Sequence, residues 1–270
     1  MTKLLFQSDD YGISDGVTDG IIKGIEDGII RNTGLFVNMP SSIRAAKRIK
    51  PFLNDISLGI DINLVAGNSV SDPKLVKDLV DSKGHLISSR ERILNGKIVT
   101  RKGLVLEFEE DPYPFDQVLL ETENQLLKFK ELIGKWPDYF HGHSLMTPNT
   151  IKAAKIIADK YGVLMSTKVM ESPNVYSIPC DWTPKPFPLV DQINTNVELN
   201  LINSLKASLN HELLYFICHC GYVDADLMAE TSYTMIRIKD LQAATSPLVK
   251  EFIKENKIEL VTYKEIEEKL

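Results

Sequence analysis

Lys3-Leu4-Leu5-Phe6-Gln7-Ser8-Asp9-Asp10-Tyr11-Gly12 decides how the rest of the chain is read. Lys3–Gln7 has the composition of a strand. Residues 15–27 then place Val17, Ile21, Ile22 and Ile25 on one helical face, with Gly28 as the stop. Strand, acidic turn and helix in that order make up the unit of a parallel α/β sheet or barrel. Working outward, the unit recurs. Leu35–Asn38 reads as a strand before a helix over 41–50, which Pro51 ends. Ser57–Val65 alternates Leu58, Ile60, Ile62 and Leu64 on one face, so Asp61 and Asn63 point the other way. A helix over 115–133 precedes a short strand, Tyr139–His143. Thr147-Pro148 has the form of an N-cap and first helical residue. Val163–Thr167, Leu213–Cys218 and Ile258–Val261 complete about seven strands. Thr195-x-x-Glu198 and Thr262-x-x-Glu265 are capping boxes, and Ser246-Pro247 starts a further helix.

Residues 84–113 and 171–194 carry no clear period and read as functional excursions. No linker interrupts the pattern, so one domain is expected over residues 1–270. A chain of 270 residues that is 43% hydrophobic can fill such a core, which excludes wholesale disorder. The net charge of −6, with no basic run, argues against nucleic acid and anionic membrane surfaces as partners. No apolar run is long enough to span a bilayer. The three cysteines, Cys180, Cys218 and Cys220, lack a disulfide-framework spacing, and the first ten residues turn acidic early. Both features lead us to expect a cytoplasmic protein. A homodimer is the expected assembly.

Polar residues at strand ends are where α/β enzymes place their chemistry. Four places qualify: Asp9-Asp10, Asp61, His141 with His143, and His219. Asp9-Asp10 reads either as a turn-and-cap cluster or as a proton acceptor beside a metal ligand. Asp61 reads either as a solvated strand face or as an inward ligand. His141 and His143, two apart, share a face and read either as ligands or as one capping and one packed ring. Cys218-His219-Cys220 puts both thiols opposite the imidazole, so buried free cysteines are expected there, without a structural zinc.

Taken in order, these segments resemble the YdjC-like carbohydrate deacetylases. Ser8-Asp9-Asp10-Tyr11-Gly12 is similar to the family's Asp-Asp-Phe-Gly opening, and Leu35–Asn38 to its second-strand segment. Gly59-Ile60-Asp61-Ile62-Asn63-Leu64 resembles Gly-x-His-x-x-Leu. His141-Gly142-His143 before Pro148, His219-Cys220-Gly221-Tyr222, and the run from Thr231 through Arg237 to Pro247 also match in order. The resemblance implies a distorted (β/α) barrel that deacetylates N-acetylated sugars or oligosaccharides with one divalent metal ion, Mg²⁺ or alternatively Mn²⁺ or Zn²⁺. It implies Asp9 as general base and His219 as the acid that protonates the leaving amine. Asp10, Asp61 and His141 would hold the metal, and Asn38, His143, Tyr222 and Arg237 would meet the substrate. The departures are Asp61 for a ligand His, Tyr139-Phe140 for Asp-Ser, Leu145 for a third His, Gly34 for a hydroxyl residue and Cys220 for Pro. Two carboxylates would neutralise a divalent ion, weaken its Lewis acidity and favour hard ions. Without the Asp at position 139, His141 loses its expected orienting carboxylate. These departures open a second expectation, a member that binds carbohydrate without hydrolysing it. A third is a hydrolase of another amide or ester.

Overall fold

The computed structural model describes residues 2–102, 105–180, 182–183 and 187–266. Its frame is a curled, open parallel sheet of seven strands. In chain order the strands of the described residues are β1 (Lys3–Tyr11), β2 (Asn32–Leu35), β3 (Ser57–Ile62), an antiparallel pair outside this sheet, β4 (Ile98–Lys102) and β5 (Val105–Phe108), then β6 (Phe140–Gly142), β7 (Val175–Ser177), β8 (Leu213–Cys218) and β9 (Glu259–Leu260). The sheet order is β6-β3-β2-β1-β8-β7, with β9 also paired to β1. One edge of β1 runs along β8 from Lys3 to Ser8. Its other edge meets β9 at Lys3–Leu4 and β2 from Gln7 onward. The chain thus forms a half-barrel with β1 at its centre, and every strand of the main sheet ends at the same rim.

Alternation along the strands sorts side chains into two layers. Leu4, Phe6, Leu58, Ile60, Phe140, Leu214 and Phe216 belong to the large core shared with the helices. Leu5, Tyr139, Tyr215, Val261 and Tyr263 form a smaller cluster on the concave side. Tyr139 and Tyr263 stack there with centroids 4.0 Å apart. Gly59 makes room for this floor, because a Cβ at that position would sit 2.4 Å from the Tyr139 ring. The polar residues Asp9, Asp61 and His141 continue the same alternation toward the rim.

The helices follow their expected caps. Ser14 accepts the Val17 N–H at the head of the helix Asp15–Glu26, and Thr147 with Thr150 closes a capping box ahead of Pro148–Tyr161. Gly162 ends that helix at φ +65°. Elsewhere the structure corrects the expected elements. Val163–Thr167 is not a strand. Met165 makes a single bridge to Phe140, and the chain turns helical at Ser166–Met170. The seventh strand is instead β7, inside the segment expected to be irregular. That segment also includes residues 181 and 184–186, outside the described residues. The second strand stops at Leu35, short of Asn38. Asn196, not Thr195, caps the helix Val197–Ala207. The excursion over 84–113 contains the antiparallel pair β4–β5. Residues 235–245, left unassigned above, form a helix. Among the described residues, no helix is long and apolar enough to cross a membrane.

Candidate active site

The end of β1 departs from regular geometry where the acidic pair begins. Its register with β2 shifts between Ser8 and Tyr11, and Asp10 adopts φ +68°. Left-handed backbone is unfavourable for most side chains, Asp and Asn being the most tolerant. The turn brings both neighbouring carboxylates into one buried cluster: Asp9 is 4% exposed and Asp10 0%.

Asp9 is held from two sides. Its Oδ1 accepts Gln7 Nε2 at 2.5 Å, and its Oδ2 lies 3.3 Å from His141 Nε2. Gln7 is itself fixed, because its Oε1 accepts the hydroxyls of Tyr215 (3.1 Å) and Tyr263 (2.5 Å). Burial holds both phenols well above their ordinary range, so they remain donors. With its oxygen taken by two donors, Gln7 must present its NH₂ to Asp9. Burial alone would raise the Asp9 carboxyl, but the charge and hydrogen bond of His141, with the charge of His219, hold it below its ordinary value. The result is a buried, ionised and oriented carboxylate; its orientation suits a general base, while its lowered pKa makes it a weak one.

His141 completes the pair on the other side. Its Nδ1 lies 2.7 Å from Ser166 Oγ, supplied by the helical turn that replaced the expected strand. Burial opposes the ring's charge, yet Asp9 raises it to about 9. An imidazolium held this way stabilises the folded state fully below its unfolded value near 6.5, and the contribution is lost as pH rises through about 9. The predicted loss across that window is at most about 3 kcal/mol. Urea denaturation at about pH 6 and about pH 10 should register it, and Asp9→Asn, which removes the cause, should flatten the difference.

Asp10 faces a different set. Its Oδ2 accepts Arg237 Nη2 at 2.6 Å, both groups being almost completely buried. Its Oδ1 lies 2.9 Å from His143 Nδ1, though without hydrogen-bond alignment. Burial opposes ionisation, but His143 and Arg237 hold this carboxyl well below its ordinary range. Arg237 comes from the helix Met235–Thr245, and its Nε donates to Tyr233 O at 2.8 Å. The same helix steers His219: Asp240 accepts the His219 backbone N–H at 2.9 Å. The His219 ring packs on Tyr233 with centroids 4.9 Å apart, and burial lowers its pKa. Cys218 and Cys220 are buried free thiols 3.7 Å apart, with Ser8 Oγ accepting the Cys220 N–H.

Asp61 is fully buried, and its Oδ2 accepts the Asp10 backbone N–H at 2.9 Å. Burial, and then the charge of Asp9, push its carboxyl well above the ordinary range. Within the cluster Arg237 faces Asp10 and His141 faces Asp9, while burial disfavours a charge on Asp61. Asp10, Asp61 and His141 share this cluster, but only Asp10 Oδ1 and Asp61 Oδ1 are without a hydrogen-bond partner. Both His141 nitrogens are occupied, Asp10 Oδ2 is paired, and Asp61 Oδ2 is bonded to backbone. Among the described residues, no three His, Cys, Asp or Glu side chains are placed to hold a metal ion. The donor set does not fit the three-ligand divalent site that the resemblance implies.

The remaining expected residues separate. His143 lies in the cluster, against Asp10. Arg237 lies there too, as a buried partner of Asp10 and not on an open surface. Asn38 spends its amide on loops: Nδ2 donates to Ala66 O and Asn68 O, each at 3.0 Å, and Oδ1 accepts from Asn63. Tyr222 is 40% exposed, with its N–H on Gly16 O, and no described hydrogen bond or ion pair joins it to the cluster. Gln7, Ser166, Asp240 and the two tyrosines were missed. Gln7 alone left a signal, as the residue between Leu5 and Asp9 on one strand face. A cavity of about 330 Å³ borders His143, with Ile62, Phe140, Leu145, Met146 and Met165 in its wall.

A parallel half-barrel with a buried acid–imidazole cluster at the strand ends defines an α/β protein of enzymatic type. The comparisons place it more closely. A model of the YdjC-like protein family matches residues 3–255, and the chain belongs to that family. A carbohydrate deacetylase of Clostridium beijerinckii is 27% identical over 267 residues, covering 98% of this chain and 100% of that protein. Another, of Thermoanaerobacter pseudethanolicus, is 26% identical over 265 residues, covering 97% and 98%. A crystal structure from Enterococcus faecalis, of a protein provisionally assigned to cellobiose-phosphate cleavage, superposes with a TM-score of 0.75. It has 19% identity and covers 98% of each chain, a likeness of fold.

Proposed function

We propose that this protein is a hydrolase of carbon–nitrogen bonds that removes the acetyl group from an N-acetylated sugar or oligosaccharide. The observation that carries the reading is Asp9, ionised and fixed between Gln7 and His141 at the strand rim of a chain from the carbohydrate deacetylase family. In this reading a water molecule attacks the acetamide carbonyl carbon and gives its proton to Asp9. The imidazolium of His141 supplies fixed positive charge within the cluster, which favours the developing oxyanion. The C–N bond then breaks, and the nitrogen takes a proton from His219, leaving acetate and a free amine. Burial disfavours the charged His219 ring, so it must be reprotonated in each cycle before it donates again. The proton that Asp9 takes from the water would pass to His219 through solvent before it reaches the nitrogen. Arg237 neutralises Asp10, and His143 beside it shapes the wall next to the reacting group. The cavity at His143 offers the substrate an apolar face. No step runs through a divalent ion, since the donor set does not fit one.

The same misfit favours one second reading, a carbohydrate-binding protein without turnover. A panel of N-acetylated mono- and oligosaccharides, non-sugar acetamides and acetyl esters, assayed for acetate, separates the possibilities. Turnover restricted to esters or non-sugar amides would replace the substrate class. Sugar binding with no acetate would replace the hydrolytic reading altogether.

A further inference from the structure

We propose that Asp61, seated in the gap left by Gly34, is a backbone brace for Asp10 and takes no part in holding a divalent ion. Three independent features of the site carry this. First, Asp61 Oδ2 accepts the Asp10 N–H at 2.9 Å across 51 residues of sequence, with both groups buried. That bond falls on a residue whose left-handed backbone, at φ +68°, needs an outside anchor to persist. Second, the other oxygen is turned away into β2. A Cβ built on Gly34 would lie 1.8 Å from Asp61 Oδ1 and 2.1 Å from its Cγ. The carboxylate therefore occupies the volume of the side chain that position 34 lacks, and any larger residue at 34 would evict it. Brace and gap form one two-residue device, with Gly34 paired to Gly59 on β3 two residues before Asp61. Third, most of the atoms a metal would need are already engaged. The buried Arg237 guanidinium holds Asp10 Oδ2 at 2.6 Å, and His141 is engaged at both nitrogens. What remains is Asp10 Oδ1, facing His143, and Asp61 Oδ1, lodged against Gly34: two carboxylate oxygens and neither His141 nitrogen.

The proposal is independent of hydrolysis, and its test reads metal content and melting temperature. Wild type, Asp61→Asn, Asp61→Ala and Gly34→Ser are equilibrated with Mn²⁺, Mg²⁺ or Zn²⁺, desalted, and measured for metal per chain and Tm. An asparagine side chain keeps an amide oxygen for the same N–H, so Asp61→Asn is expected to melt close to wild type. Asp61→Ala and Gly34→Ser are expected to melt lower by similar amounts, because both remove the brace. Metal content is expected to be the same in wild type and Asp61→Asn, whether near zero or held elsewhere. A wild type that retains about one ion per chain, lost tenfold or more in Asp61→Asn, would overturn the proposal. So would an Asp61→Asn protein as unstable as Asp61→Ala. Should Gly34→Ser fail to fold, the comparison of wild type with Asp61→Asn still decides.

Discussion

Asp9→Asn should lower kcat for acetate release by about 10²–10⁴-fold while leaving the protein folded. The substitution is nearly isosteric, so packing against Gln7 and the tyrosine floor survives, and the amide oxygen can still accept Gln7 Nε2. What disappears is the proton acceptor. The His141 ring also loses the charge that holds it protonated, so the cluster's fixed positive charge is lost at neutral pH. Two contributions to the reaction fall together, which places the effect toward the upper end of the range. Gln7→Leu should act in the same direction with a smaller loss, because it frees Asp9 to rotate without removing it. Steady-state kinetics with matched circular dichroism spectra check both. An Asp9→Asn protein as active as wild type would exclude Asp9 as the base.

Arg237→Met should be the most destabilising single change in the cluster. It leaves the Asp10 carboxylate buried with only His143 near it, and breaking a buried ion pair from one side typically costs about 3–5 kcal/mol. For a chain of this size that corresponds to a fall in Tm of roughly 10 °C. The helix Met235–Thr245, which also carries Asp240 to the His219 backbone, loses its link to β1, so local disorder at the His219 segment is expected as well. Adding Asp10→Asn to Arg237→Met should restore part of the stability by removing the uncompensated charge. Urea denaturation of the two single variants and the double variant provides the cycle. A loss below about 1 kcal/mol for Arg237→Met would show that the ion pair is not fully desolvated.

The strands around the site were legible because their physics is local. Lys3–Gln7, Ser57–Ile62 and Leu213–Cys218 are apolar runs bounded by turns, and Thr147-Pro148 carries its cap within four residues. Val163–Thr167 had the composition of a strand but lacked a neighbour. Contact with β6 is limited to the Leu164 carbonyl, which accepts the Phe140 N–H, and the bridge at Met165, and Ser166 is drawn into a helical turn that serves His141. The helix at 235–245 escaped because it is buried on several sides, Ile236, Arg237, Asp240, Leu241 and Ala244 included, which erases the one-sided apolar stripe that periodicity detects. The cluster's membership was readable from strand ends, but its pairings were not. Arg237 meets Asp10 across 227 residues, and Gln7 is fixed by tyrosines 208 and 256 residues away. The role of Asp61 depends on the space above Gly34, which becomes visible only once β2 and β3 are in register.

The most direct test of the account is the stoichiometry of acetate and free amine released from an N-acetylated oligosaccharide by the wild-type protein. The account predicts one acetate for each new amine, with no cleavage of the sugar chain. Saturable sugar binding with neither product formed would contradict it and leave the cluster as a recognition site alone.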